Sequence, residues 1–483
     1  MLKRLAKDSI IYGGADFCTK LVAFSTFPLV ATALSTKAYG FLELGFSSIA
    51  LLAMVVRCGA NNSVQRFYWD KDTAKIERPA IVSSAFTIQL FLGSILILIG
   101  YFLSGIIVKE FGSEHLLISR ITVCSFFLIS TFGIWHSFIL DVTRLHFKPW
   151  SFFFLALVSK VGVTLFSCYI LVYQGGGLEG FLFAQVVILF LLFPVSCLVI
   201  KKDLTAAISK KWMISTFKFG YPFIYVGVAI WLFSSIDRWM LTFYTSLDEV
   251  GIYSVAFKFS SIILFVSTAF GMAWSPISIK LIKDYPNDYK EMYSVLLLVL
   301  MFVMVVLASI ISIFSGDIVN LILNEEYKDS AMPLVFLCFG IAINTTGQIT
   351  AAGISIEKKT YLFARVAWFA AIFNFVLNMI FIPIFGSTGA AFTTFLSHLF
   401  VTSAYLFYSQ KIHYVPFQYS KICSFFIFVF LIIISSFLFH LVDDKYDVYI
   451  LKISIILILI LVSYKLIPKD KFKRLLRVNI SND

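Results

Sequence analysis

Apolar runs of about 20 residues, each long enough to cross a hydrocarbon core of about 30 Å, follow one another along the whole chain with short polar segments between them. They predict fourteen membrane-spanning helices, near residues 10–34, 39–63, 80–108, 116–140, 150–173, 179–200, 213–243, 251–279, 292–314, 331–356, 361–384, 389–409, 421–441 and 449–467. Lys3, Arg4 and Lys7 precede the first run as they would a secretory signal. Asp16 and Lys20 interrupt that run, however, and it outlasts a signal-peptide core, so it reads as a retained span.

An even number of spans puts both termini on one side, and the Lys/Arg bias makes that side the cytoplasm. The chain holds 39 Lys and Arg residues. Outside the spans, only Lys37, Lys109, Lys328 and Lys445 fall in loops assigned to the outer face, whereas the inner loops and both ends take the rest. The net charge of +12 is therefore mostly topology and does not indicate nucleic-acid binding.

Composition changes the picture in one respect: hydrophobic residues make up 60% of 483 positions and charged residues only 14%, against about 25% charged in a soluble domain. This is an all-α polytopic membrane protein with no room for a soluble catalytic domain. The seven cysteines lie in or at the ends of spans with no CxxC pairing, so they carry no metal or disulfide signal. No HExxH, P-loop or GxGxxG is present, His398 alone is a poor ligand, and the glycine run 175–177 lacks a following Lys-Ser/Thr. Neither a cofactor nor a metal site is expected.

The chain repeats itself at an offset near 210 residues. Ser35 to Gly40, then Ser47 and Ser48, are echoed by Ser246 to Gly251, then Ser260 and Ser261. The pair Gly177 and Gly180 is echoed by Gly386 and Gly389. The pattern predicts two parallel six-helix lobes related by duplication, plus two extra C-terminal helices. The corresponding domains are an N-terminal lobe at 1–200, a basic cytoplasmic linker at 201–212, a second lobe at 213–410, and helices 13 and 14 with a basic cytoplasmic tail at 411–483. Two such lobes with a midplane cavity between them follow the general plan of a secondary carrier that rocks between faces.

The spans hold Lys20, Arg57, Arg120, Lys160, Lys218, Arg238, Lys258, Arg365 and Lys452 against only Asp16, Glu43 and Asp237. A charge at the bilayer centre costs roughly 2.5 to 3.5 kcal/mol on insertion scales, so such residues line water or bind something. An excess of cations suits an anionic ligand. Asp16 and Lys20 are four apart and share a helical face, where they can also neutralise each other. Glu43 and Arg57 are separated by about 40° around the second helix. Lys160 with Thr164 and Ser167, and Lys258 with Ser254 and Ser261, form polar stripes on spans five and eight; either lysine can alternatively snorkel. Arg120, Arg238 and Lys452 near outer span ends, and Lys218 and Arg365 near inner ends, read as end braces, although Asp237 and Arg238 could form a gate. Asn374, Asn378, Thr393, Thr394, Ser397 and His398 make spans eleven and twelve polar enough to bond to each other.

The stretch from Asp237 and Arg238 through Tyr244, Ser246, Gly251, Tyr253, Ser254 and Phe257 to Lys258 resembles the polysaccharide transporter branch of the multidrug/oligosaccharidyl-lipid/polysaccharide (MOP) exporter superfamily. Residues 374–383 followed by Phe385, Gly386 and Ala391, and the early Lys37, Tyr39 and Gly40, carry the same resemblance. It implies a bacterial inner-membrane flippase, not an enzyme, of the Wzx type. Such a protein translocates undecaprenyl-pyrophosphate-linked repeat units of O-antigen or capsule by alternating access through a cationic cavity. It also implies that spans one, two, seven and eight border that cavity, which promotes Lys20, Arg57 and Lys258, with Asp16 and Glu43, beside Lys160. Pyrophosphate needs cationic partners, and moving one negative charge outward gains roughly 2.3 kcal/mol per 100 mV. H+ or Na+ coupling through Asp16 or Glu43 is an added expectation. The implied partners are membrane lipids and the polymerase and chain-length proteins of the pathway. The alternatives are a lipid II-type or multidrug exporter of the same fold, or a non-transporting scaffold. A membrane enzyme of the pathway would need catalytic residues in a long outer loop, and the longest, 315–330 with Asp317, Glu325, Glu326 and Asp329, is short.

Overall fold

The computed structural model describes residues 2–112, 118–205, 208–440, 446–468 and 470–471. The side chains of Lys3, Arg4 and Lys7, together with Lys445, Lys469 and the tail from 472 onward, lie outside the described residues.

The described residues are helical apart from their turns. The helices are α1 (Leu2–Ala33), α2 (Thr36–Arg57), α3 (Ala60–Tyr68), α4 (Arg78–Phe111), α5 (Arg120–Leu145), α6 (Pro149–Ala156), α7 (Val163–Tyr173), α8 (Gly177–Val199), α9 (Lys210–Tyr244), α10 (Leu247–Asp284), α11 (Tyr289–Ile313), α12 (Ser315–Ile322), α13 (Ala331–Thr350), α14 (Ala352–Ile356), α15 (Tyr361–Ile412), α16 (Tyr419–His440) and α17 (Tyr446–Lys465). Twelve stretches among the described residues are long and apolar enough to cross a membrane. One of them, Tyr361–Ile412, is two helices joined across a non-helical Gly386, and α1 adds a further 32-residue helix. The predicted fourteen crossings are accounted for in this way.

The chain forms two compact units, Met1–Ser235 and Ile236–Asp483. The sequence placed the join at 201–212, whereas the units part inside α9. The part of α9 up to Ser235 packs within unit 1, where Trp231 donates its indole N–H to the Ser47 carbonyl at 2.6 Å and Ser63 Oγ donates to Thr216 O at 3.1 Å. Lys201 and Lys202 are exposed, but Asp203 turns inward, against His146 Nε2 at 2.8 Å and the Tyr68 hydroxyl at 3.5 Å. The linker is thus pinned to the first unit.

Within unit 1, α5 is central and packs on α2, α4 and α8, while α1 packs on α6 and α7. Its core includes Ile81, Val82, Phe138 and Ile139, all fully buried, with Phe86 stacked on Phe138. Within unit 2, α13 holds the equivalent place, packing on α10, α11 and α15. Leu334, Val335, Cys338 and Phe339 of α13 are fully buried. Gly340 lets α15 close in, because a Cβ there would sit 3.3 Å from the Phe395 Cα.

The repeat read from the sequence has local physical counterparts. Ser35 and Ser246 are both N-caps, accepting from the backbone N–H groups of Ala38 and Glu249 at 3.3 Å, which satisfies donors that a helix start leaves open. Gly177 and Gly386 both adopt left-handed φ, 55° and 54°, a conformation that costs a residue with a Cβ roughly 1–2 kcal/mol. At Gly386 the turn is held by Glu249, whose carboxylate accepts from the Ser387 N–H at 2.7 Å.

Candidate functional site

Unit 1 carries most of the intramembrane charge, and two irregularities in its helices present it. The first is in the fifth span, where α6 and α7 are joined by a π-helical turn, Leu157–Gly162. Such turns insert one residue into a helix and are frequent at functional sites. Ser159 is buried with its hydroxyl donated to Leu155 O at 2.7 Å, while Lys160, next in the chain, is exposed. The turn packs against α1. There, Lys20 Nζ lies 2.8 Å from Asp16 Oδ2, both side chains being about two-fifths exposed. The alternative in which these two neutralise each other is the arrangement observed, and it leaves Lys160 as the cation without a counter-charge on this face.

The second irregularity is in the second span. Helix α2 ends at Arg57, Cys58 and Gly59 take left-handed φ of 41° and 59°, and α3 restarts at Ala60. This break admits α9: a Cβ on Gly220 would lie 1.9 Å from the Cys58 carbonyl oxygen, so only glycine fits. The backbone at the break is fixed by a polar chain. Gln89 donates to Arg57 O at 3.4 Å and to Asn61 Oδ1 at 2.8 Å, Asn61 donates to Asp141 Oδ2 at 2.6 Å, and Arg144 lies 3.5 Å from Asp141.

The Arg57 side chain, by contrast, is exposed and makes no ion pair or side-chain hydrogen bond with another described residue. Lys160 is in the same position. Gly59 caps α3 without a side chain, so the first-turn N–H groups of α3 add positive potential beside Arg57. Glu43 lies half-buried on α2. Discontinuous helices whose ends face the bound species are the usual way membrane carriers build an ion or anion site. No contact joins Arg57, Lys160 and the Asp16 and Lys20 pair into one cluster among the described residues.

In unit 2, Lys258 is half-buried on α10. Asp237 and Arg238 sit at the late end of α9 and are 1% and 6% exposed. Asp237 accepts from the Tyr253 hydroxyl at 2.7 Å, from Asn378 Nδ2 at 2.6 Å and from Thr394 Oγ1 at 3.0 Å. Arg238 donates Nε to Ser254 Oγ at 3.3 Å and lies over the Phe257 ring. The amides and hydroxyls of spans eleven and twelve do bond to each other, through Asn374, Asn378 and Thr393. The sequence did not reveal that the Asp237 carboxylate is the hub of that network. Lys452 is likewise internal, 2.8 Å from Asp317 and surrounded by Phe314, Phe439 and Tyr449.

Sequence reasoning missed the break at Cys58 and Gly59 and the π turn at Lys160. The first had a signal, Gly59 two residues after the intramembrane Arg57 and a second glycine at position 220. The second had none, since Leu157–Gly162 reads as ordinary helix. Among the described residues no group of three His, Cys, Asp or Glu side chains is placed to hold a metal.

The sequence pattern of the family described as "Polysaccharide biosynthesis protein" matches residues 5–282, more than half of the chain. The chain belongs to the polysaccharide biosynthesis protein family. A second pattern, MatE, matches residues 222–380, and the two together place this polysaccharide biosynthesis protein in the MOP superfamily that the sequence resembles.

Among curated relatives, an uncharacterized membrane protein of Methanocaldococcus jannaschii, MJ1068, is 24% identical over 42% of this chain and 41% of its own length. A Haloferax volcanii protein described as "Probable low-salt glycan biosynthesis flippase Agl15" is 22% identical over 43% of this chain and 44% of its own. The matched stretch thus spans under half the length of either relative. The fold is similar to that of a solved structure, the lipid II flippase MurJ in an inward closed conformation, with TM-score 0.72 at 16% identity, covering 96% of this chain and 99% of that one.

Proposed function

We propose that this membrane protein is a flippase that carries undecaprenyl-pyrophosphate-linked oligosaccharide repeat units, of O-antigen or capsule, from the cytoplasmic to the periplasmic leaflet of a bacterial inner membrane. Both termini lie in the cytoplasm in this reading. The observation that carries it is the pair of exposed intramembrane cations, Arg57 at a helix break and Lys160 on a π turn, neither matched by an acid among the described residues. A pyrophosphate is the part of such a substrate that cannot enter hydrocarbon unaided. Exposed cations and open N–H groups give it a partner where water does not.

The family match and a relative named for glycan biosynthesis support a lipid-linked glycan as cargo. The flippase reading assigns Lys258 of α10 to the same pyrophosphate-binding role. It leaves Asp16 and Glu43 as the acids through which H+ or Na+ could be coupled, with the membrane potential drawing the anion outward. It assigns polymerase and chain-length proteins as pathway partners.

Deleting the gene in its own host tests this reading. The expected result is loss of one surface polysaccharide together with accumulation of the lipid-linked repeat unit, restored by the wild-type gene and not by Arg57→Glu. Normal surface polysaccharide without accumulation refutes it.

A further inference from the structure

Unit 2 contains a partly enclosed cavity of about 530 Å3, walled by α12, the 3-10 segment Glu325–Ser330, α16 and α17. Its volume lies in the range of small-molecule sites, roughly 300–1,000 Å3, but its lining is unusually polar for one. Among the described residues, the charge on that lining cancels. Asp317 is matched by Lys452 at 2.8 Å and also accepts from the Tyr449 hydroxyl at 2.8 Å, and the remaining charges are the single acid Glu325 and the single base Lys328, both exposed. Among the described residues the site has no surplus cation for pyrophosphate, which separates it from Arg57 and Lys160.

What remains is hydrogen-bonding capacity next to an apolar wall. Asn320 offers an amide with both donors and an acceptor, Glu325 a carboxylate and Lys328 a donor, while Phe439 supplies a ring face. Ser436 is 5% exposed, lines the cavity, and has a buried hydroxyl with no hydrogen-bond partner among the described residues. Buried hydroxyls are seldom left so, and because Ser436 lines the cavity a ligand bound there can complete it. Donors and acceptors of both kinds, no net charge and one aromatic wall match a sugar ring, which presents hydroxyls at its edge and C–H bonds on its face.

We propose that this cavity binds sugar residues of a neutral oligosaccharide. Its walls include the segment 315–330, which the Lys/Arg bias puts on the outer face, so on the flippase reading above, on which this part rests, the sugar is the glycan end of the lipid-linked substrate arriving in the outer leaflet.

The test uses the full chain in lipid nanodiscs, with two neutral trisaccharides, cellotriose and chitotriose, and inorganic pyrophosphate as probes, read by saturation-transfer NMR. Gly316 lines the cavity and a Cβ there meets nothing within 4 Å, so Gly316→Phe fills the space without disturbing the helix. Ser436→Ala removes only a hydroxyl that has no partner. The expected result is millimolar binding of a neutral trisaccharide, weakened about tenfold by Gly316→Phe and about threefold by Ser436→Ala, at unchanged apparent melting temperature.

Equal binding in both variants, no trisaccharide binding, or a preference for pyrophosphate overturns the proposal. A fluorescent lipid-linked oligosaccharide added to the same nanodiscs displaces the trisaccharide if the glycan comes from the substrate; failure to displace it overturns that assignment. The two readings fail separately. Wild-type flipping without sugar binding at the cavity sinks this inference alone, and sugar binding at the cavity without flipping sinks the flippase reading and the assignment of the sugar to its substrate while leaving the sugar site itself standing.

Discussion

Replacing Asp237 with alanine isolates the network at the end of α9. The wild-type carboxylate is 1% exposed and takes three hydrogen bonds, from Tyr253, Asn378 and Thr394, at 2.6 to 3.0 Å. Asp237→Ala leaves all three donors facing a void beside Arg238, itself 6% exposed. Each buried donor left unsatisfied costs about 1–3 kcal/mol, about 3 kcal/mol or more for the three. With roughly 2–4 °C of melting temperature per kcal/mol in domains of 150–250 residues, the apparent Tm falls by about 6 °C or more. Asp237→Asn keeps one acceptor oxygen in place, and the hydroxyls of Tyr253 and Thr394 can turn to accept from its amide, so it costs only about 1 kcal/mol. Thermal unfolding of the detergent-purified protein, followed by the loss of monodisperse material, measures both. If Asp237→Ala melts within 2 °C of wild type, the network is not a brace. If it then loses transport as well, the carboxylate is acting in a gate.

Three more outcomes follow from single contacts. Gly220→Ala places a Cβ 1.9 Å from the Cys58 carbonyl and should cost about 1–3 kcal/mol, whereas Gly133→Ala on α5, with nothing within 4 Å, should be neutral or slightly stabilising in the same melting assay. Lys452→Met strips Asp317 of its 2.8 Å partner and should cost about 3 kcal/mol, part of which Asp317→Asn in the same chain restores; strict additivity of the two changes would argue against the pair. Asp203→Ala removes the His146 and Tyr68 contacts that hold the linker, so trypsin should cut at Lys201 and Lys202 faster than in wild type at equal Tm, and an unchanged cleavage rate would show that the linker is held by something else.

The crossings, their number and the duplicated plan were legible because hydrophobicity is written residue by residue and a duplication preserves its turns. Ser35 and Ser246, and Gly177 and Gly386, were visible as matched letters and prove to be matched caps and matched left-handed turns. The roles of individual charges were far less legible, because they depend on partners remote in sequence. Nothing adjacent to Asp237 predicts Asn378 or Thr394, 141 and 157 residues away. The pairing of Asp16 with Lys20 was readable from spacing, since four residues make one helical neighbourhood. Arg57 sits at a backbone break whose packing partner, Gly220, lies on another helix. The π turn at Lys160 left no mark in the sequence at all, as its residues suit an α-helix equally well.

In the proposed function, intramembrane cations carry a pyrophosphate-linked glycan across the bilayer. Arg57 tests it more cleanly than Lys20, because reversing Lys20 places two acids one turn apart at the 2.8 Å ion pair, while Arg57 has no such partner among the described residues. The decisive measurement is flipping of a fluorescent undecaprenyl-pyrophosphate oligosaccharide in proteoliposomes, wild type beside Arg57→Glu and Lys258→Glu. The account predicts robust transport by wild type and its loss in both variants at unchanged folding. Transport that survives both reversals contradicts it.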